Sequence, residues 1–393
     1  MTIFRKTHLD NCIPEKFWID ALSSFNRLVV LDLKFICTDE ILHVIGLNCL
    51  LLEEINIVSR VDICKSVFNA SALVRNVSNA GLWSIKNLKH LRVLAMDQPR
   101  NENAKRVGRC VSQAGIIRLV SELPYLEELQ IESCDIGSTL ISTELNIGPL
   151  SLRKINYHFA SAEGIRKLIK ICPYLRELSV THLSEHNKDA ILQQISLSDL
   201  KLNRLDLSFF SYTESMHHLL MGKGVYLTHF SLWEMDHCLT LDAVISIGRC
   251  CPNLTSLCLM TQSKCFVMPR YFMLQEEIFS KLKSLTLGNE HFNIHQILTF
   301  FLSCTFCLER LVLKYQTKIN FDDTLLNLLA KGSFRNIQYL WLDCTLEVSK
   351  AVVTQVIQNC EKLQMFTVDL NEDMTDVHKY ISENNLDFQL GSY

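Results

Sequence analysis

Two pairs of cysteines stand close enough in this chain to do chemistry together. Cys250 and Cys251 are adjacent, and two residues separate Cys304 from Cys307. A C-x-x-C spacing lets two thiolates on one turn share a disulfide or half of a zinc site. His217, His218, His229 and His237, with Cys238, add ring nitrogens within a short stretch. A metal site needs more ligands at related spacing, and no second C-x-x-C or H-x-x-x-H completes one. There is no G-x-G-x-x-G or G-x-x-x-x-G-K loop to cradle phosphates. No Ser-His-Asp or Cys-His set follows from the spacing. The expectation is a protein with no catalytic residues, no metal and no cofactor.

The elements that must position these cysteines explain them better. "CCPNLTSLCL" at 250–259 has relatives in "NCLLLEEINI" from Asn48, "ICPYLRELSV" from Ile171 and "NCEKLQMFTV" from Asn359. Alignment on L-x-x-L-x-L gives thirteen copies, anchored from Leu28 to Leu363, and ten of the twelve gaps fall between 23 and 29 residues. That is the leucine-rich-repeat period. Three residues before the anchor stand Cys49, Cys172, Cys251 and Cys360, and in other copies Phe25, Leu88, Leu123, Phe279 and Phe334. A slot shared by Cys, Leu and Phe is a core position, so these cysteines are buried filler.

Each copy also dictates its own local structure. The L-x-L tail alternates apolar and polar, as a strand with one buried face does. Ahead of the next anchor come helical patterns: "DEILHVIGLNC", "AEGIRKLIKIC", "LDAVISIGRCC", "DDTLLNLLAKG" and "SKAVVTQVIQNC". Several open on Asp, Ser or Thr, where a helix cap is wanted. One strand and one helix cannot bury their apolar faces alone, so the units must stack. The predicted class is α/β: a horseshoe-shaped leucine-rich-repeat solenoid of about thirteen repeats. A parallel sheet lines the concave face and helices line the convex face. Residues 1–24 read as an amino-terminal cap, 25–368 as the solenoid, and 369–393 as a carboxyl-terminal cap and tail. Insertions fall near 59–87 and 97–115, the second reading as a polar, basic loop.

Composition removes several classes of function. Net charge is −3 with both signs dispersed, which leaves no basic footprint for nucleic acid and no polybasic stretch for a membrane. The start, "MTIFRKTHLD", lacks the apolar core of a signal peptide. The longest strongly apolar run, "ILTFFLSCTFCL", has 12 residues, too few to span a bilayer. The 16 cysteines sit inside apolar periodic segments, which suits a reducing compartment, the cytoplasm or the nucleus.

The units, with C-x-x-L-x-x-L-x-L after a helix ending in Cys, resemble the cysteine-containing repeats of F-box/leucine-rich-repeat proteins. The resemblance runs from about Phe25 to Val368. It implies a protein-interaction module that recognises substrates for SCF-type ubiquitin-dependent degradation, with cullin–RING ligase components among its partners. "CIPEKFWIDALSSF" is similar to the opening of an F-box, but the first repeat strand follows almost at once, so a complete F-box is not expected. The alternative is a free-standing binder or inhibitor, or an assembly scaffold, unconnected to ubiquitin ligases.

A protein partner would be met on the concave face. Residues before, between and after the last two leucines of each copy point there. In the amino-terminal half these are Asp32, Glu54, Asn56, Asp97, Glu128, Gln130, Glu132 and Asn156. In the carboxyl-terminal half they include Trp233, Met260, Tyr339, Trp341 and Met365, with Arg204, Arg310 and Lys314 among them. Exposed aromatics beside cations are typical interface anchors. The competing reading is that Trp233 lies flat on neighbouring strands as packing.

Overall fold

The computed structural model describes residues 2–5, 14–33, 37–57, 77–97, 111–132, 148–158, 160–181, 187–235, 239–261, 278–289, 294–315, 318–343, 345–368, 375–383 and 389–391. Most of the two expected insertions, with His237 and Cys238, lie outside the described residues. The chain divides into two compact units, Met1–Leu202 and Asn203–Tyr393.

In the first unit the strands are β1 (Thr2–Arg5), β2 (Leu28–Asp32), β3 (Glu54–Ile57), β4 (Val93–Asp97), β5 (Glu128–Glu132), β6 (Lys154–His158) and β7 (Glu177–Thr181). They pair in parallel in chain order. The helices are α1 (Glu15–Ser23), α2 (Asp39–Asn48), α3 (Asn79–Ser84), α4 (Gln113–Glu122), α5 (Ala162–Ile171) and α6 (Lys188–Ser196).

The second unit carries β8 (Arg204–Ser208), β9 (His229–Met235), β10 (Ser256–Thr261), β11 (Ser284–Asn289), β12 (Arg310–Tyr315), β13 (Ile319–Asn320), β14 (Tyr339–Leu342), β15 (Leu346–Glu347), β16 (Met365–Thr367) and β17 (Gln389–Gly391). All but β13 and β15 form one parallel sheet in chain order, and those two pair with each other. Its helices are α7 (Glu214–Lys223), α8 (Leu241–Cys250), α9 (Ile294–Cys304), α10 (Asp322–Ala330), α11 (Lys350–Asn359) and α12 (Thr375–Glu383). A strand follows each repeat anchor. The strands β1, β13 and β15 were not foreseen from the repeat, and Gln113 opens α4, so the expected loop to residue 115 ends earlier.

The core forms where strand and helix faces meet. β6 and β8 bury every second residue, Ile155 and Tyr157 in one and Leu205 and Leu207 in the other. Ile116 and Val120 of α4 and Leu168 of α5 line one small void together with Leu129 of β5 and Ile155 of β6. Each fully buried leucine or isoleucine contributes about 1.5–3 kcal/mol. The opposite face of each sheet is the open one.

The helix starts repeat one device. Ser112, Ser161, Thr240 and Ser349 each accept a hydrogen bond from the N–H three residues on, at 3.0–3.4 Å. The Asp or Asn at a helix start does something else. Asp39 Oδ1 accepts from the Ser78 N–H at 2.7 Å, Asn79 Oδ1 from Ser112 at 2.8 Å, and Asp322 Oδ1 from Ser349 at 2.8 Å. One copy's carboxylate or amide thus ties down the cap of the next. Thr240→Ala removes the α8 cap, and an unfolding titration should show a loss of about 1 kcal/mol.

The helix ends repeat another. Cys49, Cys172, Cys251 and Cys360 stand just past their helices, each N–H donating four residues back. Each carbonyl then accepts from the anchor leucine three residues on. This turn leaves room for a small buried side chain, and all four are 0–3% exposed. Leu88, Leu123, Phe279 and Phe334 are buried in the same slot, whereas Phe25, before the first repeat strand, is 37% exposed.

At the far end, β17 pairs with β16, and Val377 of α12 is buried.

Candidate functional site

The two members of each cysteine pair sit in unequal surroundings. Cys251 is buried, and burial pushes its thiol up to about 12, away from the thiolate that metal or redox chemistry needs. Cys304 is buried at the end of α9 while Cys307 is exposed. The described histidines go to different neighbours. His217 Nδ1 lies 2.8 Å from Ser246 Oγ of α8 and 3.2 Å from Tyr212 Oη, joining α7 to α8. His218 lies 3.6 Å from Glu214 on the surface. His229 is on β9, its Nδ1 2.9 Å from Thr228 Oγ1. Among the described residues no group of three or more His, Cys, Asp or Glu could hold a metal ion.

The open face of the second unit is organised by register. Parallel pairing aligns Arg204, His229, Ser256, Ser284, Arg310, Tyr339 and Met365 in one row across β8–β12, β14 and β16. The next row runs Asp206, Ser231, Cys258, Thr286, Val312, Trp341 and Thr367. Met260, Gly288 and Lys314 align in a third, and Trp233 pairs with Ser208 beside them. The structure therefore brings Trp233, Met260, Tyr339, Trp341, Met365, Arg204, Arg310 and Lys314 onto one face, neighbouring strands being about 4.8 Å apart.

These side chains lie across the sheet and pack on one another. The Lys314 ammonium sits 5.4 Å from the Trp341 ring centre and 5.9 Å from that of Trp233. Arg310 stacks its guanidinium over Tyr339 at 4.0 Å. Such contacts attract a cation without neutralising it. Arg204 is different, donating to Asp206 Oδ2 at 2.7 Å. The middle row is consequently covered: Ser231 is 8% exposed, Cys258 7% and Val312 3%. Alternation alone predicts that these positions point to solvent. They do lie on the open face, but the long side chains around them shut out water.

The electrostatics follow from that cover. Burial pushes the Cys258 thiol up to about 12, with the Asp206 carboxylate adding and Lys314 and Arg204 opposing. The thiol, on β10, thus marks where charges from β8 and β12 converge. Asp206 Oδ1 is itself buried and has no donor among the described residues.

Two features of the face escaped the sequence pattern. Leu232 pairs with Leu259 but Met235 with Thr261, so Trp233 and Glu234 together oppose Met260. This β-bulge breaks the two-residue period after Trp233, and Met235 is buried instead of standing on the open face. Gly288 is the second feature. A Cβ there would overlap the Met260 thioether, so the glycine provides the floor on which Met260 lies. The glycine inside a strand pattern was the available signal, marking close approach of another group.

The open face of the first unit is polar. Lys154 Nζ donates to Glu128 Oε1 at 2.5 Å, and Gln130 donates to the same oxygen. Glu54, Asn56 and Asn156 share this face in register, while the side chains of Asp97 and Glu132 lie outside the described set. No described helix is long and apolar enough to cross a membrane.

No protein-family model matches the sequence, and no curated relative matches it. Among solved structures, one from the yeast Rad7–Elc1 complex is similar at 12% identity and a TM-score of 0.46, over 96% of this chain and 88% of that one. A Bacteroides fragilis protein is similar at 8% identity and a TM-score of 0.37, over 78% and 75%. Both scores lie under one half, and the open face itself carries aromatic rings and cations side by side.

Proposed function

We propose that this chain is a non-enzymatic protein-binding module, a leucine-rich-repeat horseshoe whose concave side is the open face of the sheet. Its role is substrate recognition in SCF-type ubiquitin-dependent degradation, in the cytoplasm or nucleus. The observation that carries the binding reading is the cluster of Trp233, Lys314, Trp341, Arg310 and Tyr339 on the open face of one unit. Half-buried aromatics beside cations have the composition of an interface centre. The ligase role rests on the resemblance of the cysteine-containing repeats to those of F-box/leucine-rich-repeat proteins.

Affinity purification of the tagged chain followed by mass spectrometry tests the role directly. Cullin and RING subunits should co-purify with the wild-type chain and not with the tag alone. Partners that depend on Trp341 but come without any cullin component would make the protein a free-standing binder or inhibitor instead.

A further inference from the structure

Resting on the reading of that open face as the binding surface, we infer that its ligand is an extended acidic peptide segment. The segment carries two carboxylates four residues apart with an apolar side chain midway between them. The inference starts from charge. Arg310 and Lys314 both lie on the open face of β12, and their contacts are with ring faces. Neither meets a carboxylate among the described residues, whereas Arg204 on the same face is held by Asp206. Among the described residues two positive charges therefore lack a carboxylate partner, on a chain whose net charge is −3.

Spacing supplies the rest. Positions four apart on a strand are separated by about 13 Å and point to the same side. An extended ligand has the same rise, so carboxylates at i and i+4 reach Arg310 and Lys314 together. Residue i+2 then falls over Val312, 3% exposed, and the Trp341 ring paired beside it. Rings already in contact with the cations keep water from the ion pairs, which strengthens them. Single-stranded nucleic acid also uses rings and cations, but it needs a groove of positive charge that follows the backbone. Two cations do not make one.

Fluorescence anisotropy with a labelled nonapeptide, SSESLSESS, tests the inference on the full chain. Binding should saturate, weaken as salt rises, and weaken at least tenfold when both glutamates become glutamine. Arg310→Ala and Lys314→Ala should each weaken the acidic peptide at least tenfold. Lys283→Ala, which removes a cation already paired with Glu309 at 2.9 Å, should not. If Lys314→Ala lowers the melting temperature, Lys314→Met keeps the stem over the rings and removes only the charge. Equal affinity for the two peptides, no saturation up to millimolar peptide, or tighter binding of a labelled oligothymidylate would overturn the proposal. If Trp341→Ala abolishes capture of cellular partners while SSESLSESS fails to bind, the acidic ligand is wrong and the binding face stands. If neither partners nor peptide respond to Trp341→Ala, the binding face falls with it.

Discussion

Raising the pH from 8 to 10 should cost this protein about 5 kcal/mol of stability through four thiols alone. Burial pushes Cys49 up to about 11 and Cys172, Cys251 and Cys360 up to about 12. In the unfolded chain the same thiols titrate in their ordinary range near 9. Folded values above unfolded ones mean that the stabilisation is complete below the ordinary thiol pKa. It is lost as pH rises toward the folded values, because the unfolded state releases its protons first. One pH unit past the unfolded value is worth about 1.4 kcal/mol per thiol. Four such contributions approach the entire stability of an ordinary domain. Urea unfolding between pH 8 and pH 11 measures the loss, and Cys251→Ala isolates one share of it. That variant should show a slope shallower by about 1.4 kcal/mol per pH unit above pH 9. An unchanged slope would mean that Cys251 ionises in the folded protein, and rapid labelling of Cys251 at pH 8 would say the same.

The repeat period made most of the backbone readable, and particular residues show why. Leu205 and Leu207 alternate because a strand with one buried face must, and that constraint is local. The pattern of Leu241, Val244, Ile245 and Gly248 is equally local, so α8 could be placed almost to the residue. Cys251 became interpretable only by comparison with Phe279 and Leu123 in the same slot, since a lone vicinal pair suggests chemistry. The Asp39 to Ser78 link was not visible. Its partners are 39 residues apart across an atypical gap, and nothing in either copy marks the other.

The open face was half legible for the same reason. Register follows from the repeat, so Trp233, Lys314 and Trp341 could be assigned to one face. How they pack depends on side chains from different copies. The bulge at Trp233 and Glu234 breaks the two-residue period at one point only. The seat of Met260 on Gly288 is a fit between residues 28 positions apart. The burial of Cys258 and Val312 then follows from that packing. A periodic strand predicts both as exposed, and only the sizes of their neighbours make them otherwise.

Trp341→Ala should weaken capture of the protein partner about thirtyfold while lowering stability by only about 1 kcal/mol. The asymmetry comes from where the ring sits. It is half-buried on the open face, above the strand rather than in the core. The core beneath is Leu340 and Leu342, which the substitution leaves in place. What the change removes is one side of the Lys314 seat, 5.4 Å away, and part of the cover over Val312, its pairing neighbour on β12. Lys314 would keep Trp233 at 5.9 Å but would be hydrated from the other side. An anchor of this type is worth 2 kcal/mol or more to a partner that desolvates it. Glu128→Ala makes the comparison, because Glu128 is already paired to Lys154 at 2.5 Å on the first unit's face. It should change capture by less than threefold. A pull-down beside a melting curve for each variant reads both quantities. Unfolding of Trp341→Ala would show that the open face is held shut as a second core. Full capture with full stability would remove Trp341 from the interface.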